Sequence, residues 1–302
     1  MEKSLILIGI MVCSMNMLGQ AKEDTKTNNA DRGWYLKLGG SYFTQATATE
    51  FPSVNGREPN KDAYVGGALV SRESITGSFG EGFRTGLTAG YRFNTRVGVE
   101  MGVNYYSSNE KTMVQTISDN VKVLDIKGQV KAFDLAPALV LFLGESKGFE
   151  PYTKVGVIVP VNGQLDIKTN AVTAAGPVYR NDVIKPQPTV GFLAALGTTY
   201  KLTDKLAAFA EVEYRNFTVH GKNKEVTAYT VNGANGFALP AGHPLYLSNA
   251  EINVNYSSSL NSSSNNKTTN PAGYDETKPG DDLSSYISIS GVGLTLGLKY
   301  NL

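Results

Sequence analysis

The residues of this chain that could do chemistry are mostly charges set singly into apolar surroundings. Lys37, Arg84, Arg92, Glu100, Asp134, Lys154, Glu211, Glu213 and Arg215 each stand in a run whose alternate residues are apolar. Charges spaced this way can form ion pairs or line a polar conduit; they make no catalytic motif. The two histidines offer little more. His220 lies in Phe217-Thr-Val-His-Gly221 and His243 in Ala241-Gly-His-Pro244. A nucleophile needs a base in hydrogen-bond reach, and His220 is followed by Gly221 and Lys222, not by a His-x-Ser pair. It reads as a residue at the rim of a strand. Asp275, Glu276, Asp281 and Asp282 could touch divalent cations, but they lack the spacing of a calcium loop. Gly80-x-Gly82-x-x-x-Gly86 and Gly291-x-Gly293-x-x-x-Gly297 have the wrong spacing for a dinucleotide fingerprint. No cofactor, metal or catalytic residue is expected, and a net charge of +1 gives no reason to expect nucleic acid.

The elements that position these charges alternate with period two. In a strand, successive side chains point to opposite faces. The last segment puts Val292, Leu294, Leu296, Leu298, Tyr300 and Leu302 on one face and Gly293, Thr295, Gly297, Lys299 and Asn301 on the other. Seven earlier segments repeat the pattern. Their apolar faces run from Trp34 to Tyr42, Phe83 to Phe93, Val97 to Tyr105, Phe133 to Leu143, Val155 to Val161, Val190 to Tyr200 and Leu206 to Tyr214. The opposed faces carry Lys37, Gly39 and Ser41; Arg84, Gly86, Gly90 and Arg92; Gly98, Glu100 and Asn104; Ala132, Asp134, Ala136 and Ala138; Lys154, Gly156, Pro160 and Asn162; Gly191, Ala195, Gly197 and Thr199; and Phe209, Glu211, Glu213 and Arg215. Pro137 falls among the apolar positions and costs a ladder bond unless it lies at a bulge. One amphipathic strand fits a soluble sandwich. Eight in series, with aromatics near their ends, fit a membrane barrel that is apolar outside and polar inside.

Connection lengths agree. Turns at 94–96, 144–150 and 203–205 are short; the stretches at 44–81, 108–128, 169–186 and 221–285 are long. Short periplasmic turns and long outer loops are the arrangement of outer-membrane barrels, and an even strand count puts both ends on the periplasmic side. The long stretches contain alternating pieces of their own, at Met113–Ile126, Val226–Val231 and Ile252–Tyr256. These read as raised hairpins or strand extensions that could bind a partner by strand addition. The run Ser257–Asn266 is low-complexity and is expected to be mobile. The N-terminus has Lys3, an apolar core from Leu5 to Val12, and Gly19-Gln20-Ala21. This is expected to be a signal peptide, residues 1–19, cleaved after 19 or 21, followed by a periplasmic leader at 20–32 and a barrel over 33–302. The one cysteine, Cys13, falls inside the signal, so no disulfide or thiolate site is expected in the mature chain.

With these residues in view, the chain resembles the small eight-stranded outer-membrane barrels, the group that includes the OmpA transmembrane domain, OmpX and OmpW. The resemblance covers 33–302. It implies an all-β, eight-stranded antiparallel up-and-down transmembrane barrel in the outer membrane of a Gram-negative bacterium. The segment Leu294-Thr-Leu-Gly-Leu-Lys-Tyr-Asn-Leu302 resembles the signal read by the barrel assembly machinery, carried by Leu294, Leu296, Leu298, Tyr300 and Leu302. It departs from the family by ending on leucine, with Tyr300 two places earlier on the same face. The implied partners are outer-membrane lipid and lipopolysaccharide, the assembly machinery and periplasmic chaperones, and a surface ligand at the loops. Some barrels of this kind deacylate lipid A with His, Ser and a carboxylate, a site His220 alone does not make. No periplasmic peptidoglycan-binding domain is expected.

An eight-stranded barrel is just wide enough for side chains to fill it. Counted from the periplasmic end, Lys37, Glu100, Lys154 and Glu211 come to one depth on alternate strands, with glycines such as Gly90 and Gly197 between them leaving room to reach across. The preferred reading is a plug of salt bridges; the alternative is a gate or narrow conduit. The expected function is accordingly non-enzymatic: envelope integrity with loop-mediated contacts, then a narrow porin-like channel, and third a lipid-A-modifying enzyme.

Overall fold

The computed structural model describes residues 32–187 and 189–302. The expected signal peptide, and the leader up to residue 31, lie outside the described residues. Eight long strands form a ring: β1 (Gly33–Gln45), β2 (Gly82–Arg92), β3 (Val97–Ser108), β4 (Val121–Phe142), β5 (Phe149–Thr173), β6 (Gly191–Lys201), β7 (Leu206–Asn216) and β8 (Gly291–Asn301). Each is antiparallel to its neighbours. β8 returns to β1, Tyr35 opposite Asn301 and Gln45 opposite Gly291. Closure of this kind abolishes sheet edges within the ring.

The alternation explains which side faces out. Leu38, Leu87, Leu196, Val212 and Leu296 are each more than half exposed. Their belt is bounded by aromatic pairs. At the short-turn end stand Trp34, Tyr91 and Phe93, with Phe149 against Tyr200. At the other end stand Tyr42 against Phe83 and Tyr105 against Phe133. An apolar belt between two aromatic girdles is matched to lipid, not to water. No described helix is long and apolar enough to cross a membrane; this chain crosses with strands.

β4 and β5 run well beyond the belt, and the long connections join them there. Lys111–Ser118 pairs with the upper half of β4 through a two-residue turn at Asp119 and Asn120, both at positive φ (48° and 65°). Such turns match the twist of the strands they connect. Gly176–Gln187 folds back on β5, then Thr218–Val231, Asn253–Ser257 and Gly280–Leu283 follow in order. On the far side, Asn60–Val65 pairs with Lys111–Ser118, and Ala68–Ser74 forms the edge. The barrel thus carries an outer sheet built on its own strands.

Three details differ from the sequence reading. Pro137 sits at no bulge; pairing between β4 and β5 simply skips Val157 and Ile158 across from it. The bulge lies on β5, where Pro160 opposes Asp134 but Asn162 opposes Phe133, so that Val161 is extra. One added residue reverses the faces. Asn162, expected inward, is exposed along with Val161, and the next residues to be buried are Leu165 and Ile167. Third, the stretch through Ser257–Asn266, expected to be mobile, is folded. Asn265 Nδ2 donates to the carbonyls of Asp275 (2.9 Å) and Pro279 (2.8 Å), and Asn266 Nδ2 to that of Asp281 (2.9 Å). A segment with few apolar residues is organised here by side-chain amides bonding backbone. Asp275 accepts from the hydroxyl and N–H of Thr277 and lies 3.0 Å from Lys278 Nζ, and these contacts together hold its carboxyl down to about 2.

Candidate functional site

The charges on alternate strands meet inside the barrel. Lys37 Nζ lies 3.1 Å from Glu100 Oε1 and 3.4 Å from Glu211 Oε2. Lys154 Nζ lies 2.7 Å from Glu211 Oε1 and 3.6 Å from Glu100 Oε2. Each cation therefore touches both anions. The space beside them is not left for long charged side chains, as the glycines suggested. Tyr35 and Tyr152 occupy it. A Cβ on Gly90 would fall 2.2 Å from the Tyr35 ring, and one on Gly197 2.4 Å from the Tyr152 ring. The two phenols complete the ring of bonds: Tyr35 donates to Glu100 (3.0 Å) and Tyr152 to Glu211 (2.9 Å). We expect Gly197→Val to displace Tyr152 and destabilise the barrel by about 1–3 kcal/mol, as at other overpacked sites, lowering the unfolding midpoint. Heat-dependent gel mobility across a temperature series would measure this; an unchanged midpoint would mean the ring is not fixed there.

One level toward the outer end lies a second set. Arg84 clamps Glu213 with two bonds of 2.6 and 3.1 Å and also donates to Ser41 and Thr295. Arg215 and Asn104 both donate to Asp134 at 2.8 Å. Glu213 joins the levels, 3.4 Å from Arg215 Nε and 3.7 Å from Lys154 Nζ. Arg92 stands apart. It pairs with Glu150 at 2.8 Å near the short-turn end and donates to the carbonyls of Asn94 and Thr95. Glu150 and Lys299 were not singled out from sequence. Lys299 is buried with no ion pair among the described residues, its Nζ 4.4 Å from the centre of the Tyr35 ring.

Above both levels the interior turns apolar. Phe43, Ile158, Leu193, Phe217 and Ile289 are buried there, with Tyr106 and, from the first long connection, Phe79. Phe43, Ile158 and Leu193 occupy inward positions of their strands, so the alternation held the signal. Charges dominate the inward faces lower down, so their polarity does not announce an apolar layer above. The cavity among the charges measures about 40 Å³, and that between Asp134, Arg215 and the apolar layer about 20 Å³. An enclosed water needs about 10–15 Å³ of such space, so each has room for only a few waters.

Residues 8–257 match the family described as "Outer membrane protein beta-barrel domain". The chain belongs to this outer-membrane barrel family. No curated protein matches it in sequence. Among solved structures it is similar to Neisserial surface protein A, at 10% identity and TM-score 0.39, covering 89% of this chain and 97% of that one. It is also similar to the outer membrane protein OprG of Pseudomonas aeruginosa (12%, TM-score 0.39, 89% and 95%). A third is Ail of Yersinia pestis, in complex with the heparin analogue sucrose octasulfate (11%, TM-score 0.32, 90% and 97%). The protein is an outer-membrane β-barrel of a Gram-negative envelope, its short turns periplasmic and its long connections outside.

In this outer-membrane barrel, Leu294, Leu296, Leu298 and Tyr300 lie on the lipid side of β8, and Leu302, just past its end, is exposed. His220 lies just beyond the outer end of β7, and the fold brings it a hydroxyl that sequence spacing does not show: Ser284 Oγ is 3.2 Å from its Nδ1. Ser284 also lies 2.9 Å from the Gly221 carbonyl, to which it donates. The hydroxyl has one proton for two acceptors; with it on the Gly221 carbonyl the serine can only accept from the imidazole, the reverse of what an activated nucleophile requires. The pair ties Thr218–Val231 to the chain entering β8. His243 Nδ1 accepts from the Leu245 N–H in a loop of its own. Asp281 accepts from the Asn265 N–H, and no group of three or more His, Cys, Asp or Glu could hold a metal among the described residues.

Proposed function

We propose that the protein is a closed barrel with a structural role in the envelope, holding its outer sheet at the cell surface for loop-mediated contacts. The observation that carries this reading is the interior: two levels of ion pairs beneath a buried apolar layer, with cavities of only about 40 and 20 Å³. Buried ion pairs offset their desolvation only with further hydrogen-bonding partners, and Tyr35, Tyr152, Ser41, Thr295 and Asn104 supply them. Signal cleavage after residue 19 or 21, delivery by periplasmic chaperones and reading of the β8 lipid face by the assembly machinery belong to the same proposal. So does contact with lipopolysaccharide along the outer girdle.

The second reading is a narrow pore. The charged ring favours it: every member is a group that water solvates well, and Lys37 has two carboxylate partners and Lys154 three. Planar-bilayer conductance of the folded protein decides between the two. We expect a silent bilayer from the wild type. Steady channels whose ion preference changes in Glu100→Gln or Glu211→Gln would overturn the closed barrel and make the ring a pore lining. The third reading, lipid-A hydrolysis, rests on the His220–Ser284 contact alone, and unaltered lipid A in cells carrying His220→Ala against wild type would end it.

A further inference from the structure

A space among the outer strands lies above the apolar layer. It is a cavity of about 290 Å³. Its apolar wall includes Leu165 and Ile167, turned inward by the β5 bulge, with Ile184 and Ile287. Its polar end is assembled from four separate segments. Asn55 comes from the first long connection, Asp182 from Gly176–Gln187, Lys224 from Thr218–Val231 and Tyr256 from Asn253–Ser257.

The polar groups are unequally satisfied. Asp182 is almost wholly buried, and Arg180 holds it at 2.6 and 3.0 Å. Both bonds go to Oδ1, and Oδ2 accepts only from Asn55 Nδ2 at 3.5 Å. Lys224 is not provided for. Its side chain is 12% exposed, yet its Nζ is 3.9 Å from Asp182 and 3.5 Å from Asn55 Oδ1. Both contacts are at the limit of an interaction. The Tyr256 hydroxyl makes no hydrogen bond among the described residues, and burial pushes that phenol up. Burial also pulls the Lys224 ammonium below the usual lysine range, in spite of Asp182 and the exposed Asp282 nearby. A buried cation without a close partner is costly. Among the described residues only the long contacts with Asp182 and Asn55 oppose that cost, and the ammonium faces a space with an apolar wall.

We propose that this cavity binds a small amphipathic anion, its carboxylate on Lys224 and Tyr256 and its apolar body against Leu165, Ile167 and Ile287. The site is separate from the barrel interior and does not depend on whether the barrel conducts. Nothing covalent is required of it.

The probe is 3-phenylpropionate, set against 3-phenylpropionamide and 3-phenylpropylamine. These share an apolar body and differ in charge. Binding would be measured by equilibrium dialysis against the full protein in lipid nanodiscs, with empty discs subtracted. We expect the acid to bind at least tenfold more tightly than the amide or the amine. Lys224→Met should reduce it to the level of the amide, and Lys224→Arg should retain it. Ile184→Trp, which fills the cavity, should abolish binding of all three. Equal affinity for acid and amide, preference for the amine, or no binding above empty discs would each overturn the proposal. So would full binding by a folded Lys224→Met. Heat-dependent gel mobility establishes that the variants are folded, and the acid–amide comparison on the wild type decides the question should Lys224→Met fail to fold.

Discussion

Glu213→Leu is expected to destabilise the barrel by about 3–5 kcal/mol, the range found when one partner is removed from a buried ion pair. Glu213 is 1% exposed and stands between Arg84, Arg215 and Lys154. Arg215 would keep Asp134, and Lys154 would keep Glu211 and Glu100. Arg84 would keep no carboxylate. Its guanidinium would be left among Ser41, Thr295 and the Phe43 ring, all buried with it. The double variant Arg84→Met with Glu213→Leu should regain much of the loss, because an apolar pair of similar volume leaves no uncompensated charge. Urea unfolding in lipid vesicles would measure both. The single tryptophan, Trp34, stands in the periplasmic girdle and reports insertion directly. If the single variant costs less than about 1 kcal/mol, as exposed pairs do, the interior is wet and the closed reading is wrong.

Deleting Val161 is expected to leave the membrane ring in place and disrupt the sheet above it. The residue is extra in the pairing of β5 with β4. Below it Tyr152 and Ile158 are the buried phase; above it Leu165 and Ile167 are, at 4% and 3% exposure. Without it the upper half of β5 must present Leu165 and Ile167 to water or slip its register against β4. Exposing the two side chains costs about 1.5–3 kcal/mol each. Limited proteolysis should then cut the outer strands of the deletion variant, while its heat-dependent gel mobility persists. Val161→Ser keeps the count and should behave as wild type. Equal protease resistance in the deletion variant would show that the bulge sets no face.

Much of this was legible in the residues themselves. The ring, its order and its lipid face follow from period-two alternation and from the contrast of short and long connections. The level of Lys37, Glu100, Lys154 and Glu211 could be counted along strands because each strand advances by a fixed rise per residue. The outer hairpin at Met113–Ile126 could be anticipated for the same reason. Other features were hidden. Gly90 and Gly197 promised room but not what fills it, and the rings that do come from Tyr35 and Tyr152, on neighbouring strands. Pro160 and Gly163 flank Val161 and are residues that bulges favour, but they do not say which residue between them is the extra one. The contact of His220 with Ser284 spans a separation of 64 residues.

The division has one physical cause. Which face a side chain takes is a local property of strand geometry, so the amino-acid sequence alone determined the class of fold, the membrane belt and the inward list of charges. Which inward side chains touch depends on how the sheet closes and on where a bulge shifts the count. Lys37 reaches Glu211 across 174 residues only because β8 returns to β1 at one register. The contacts of the charged interior, the apolar layer above it and the cavity around Lys224 were decided there, by closure and register in the folded barrel.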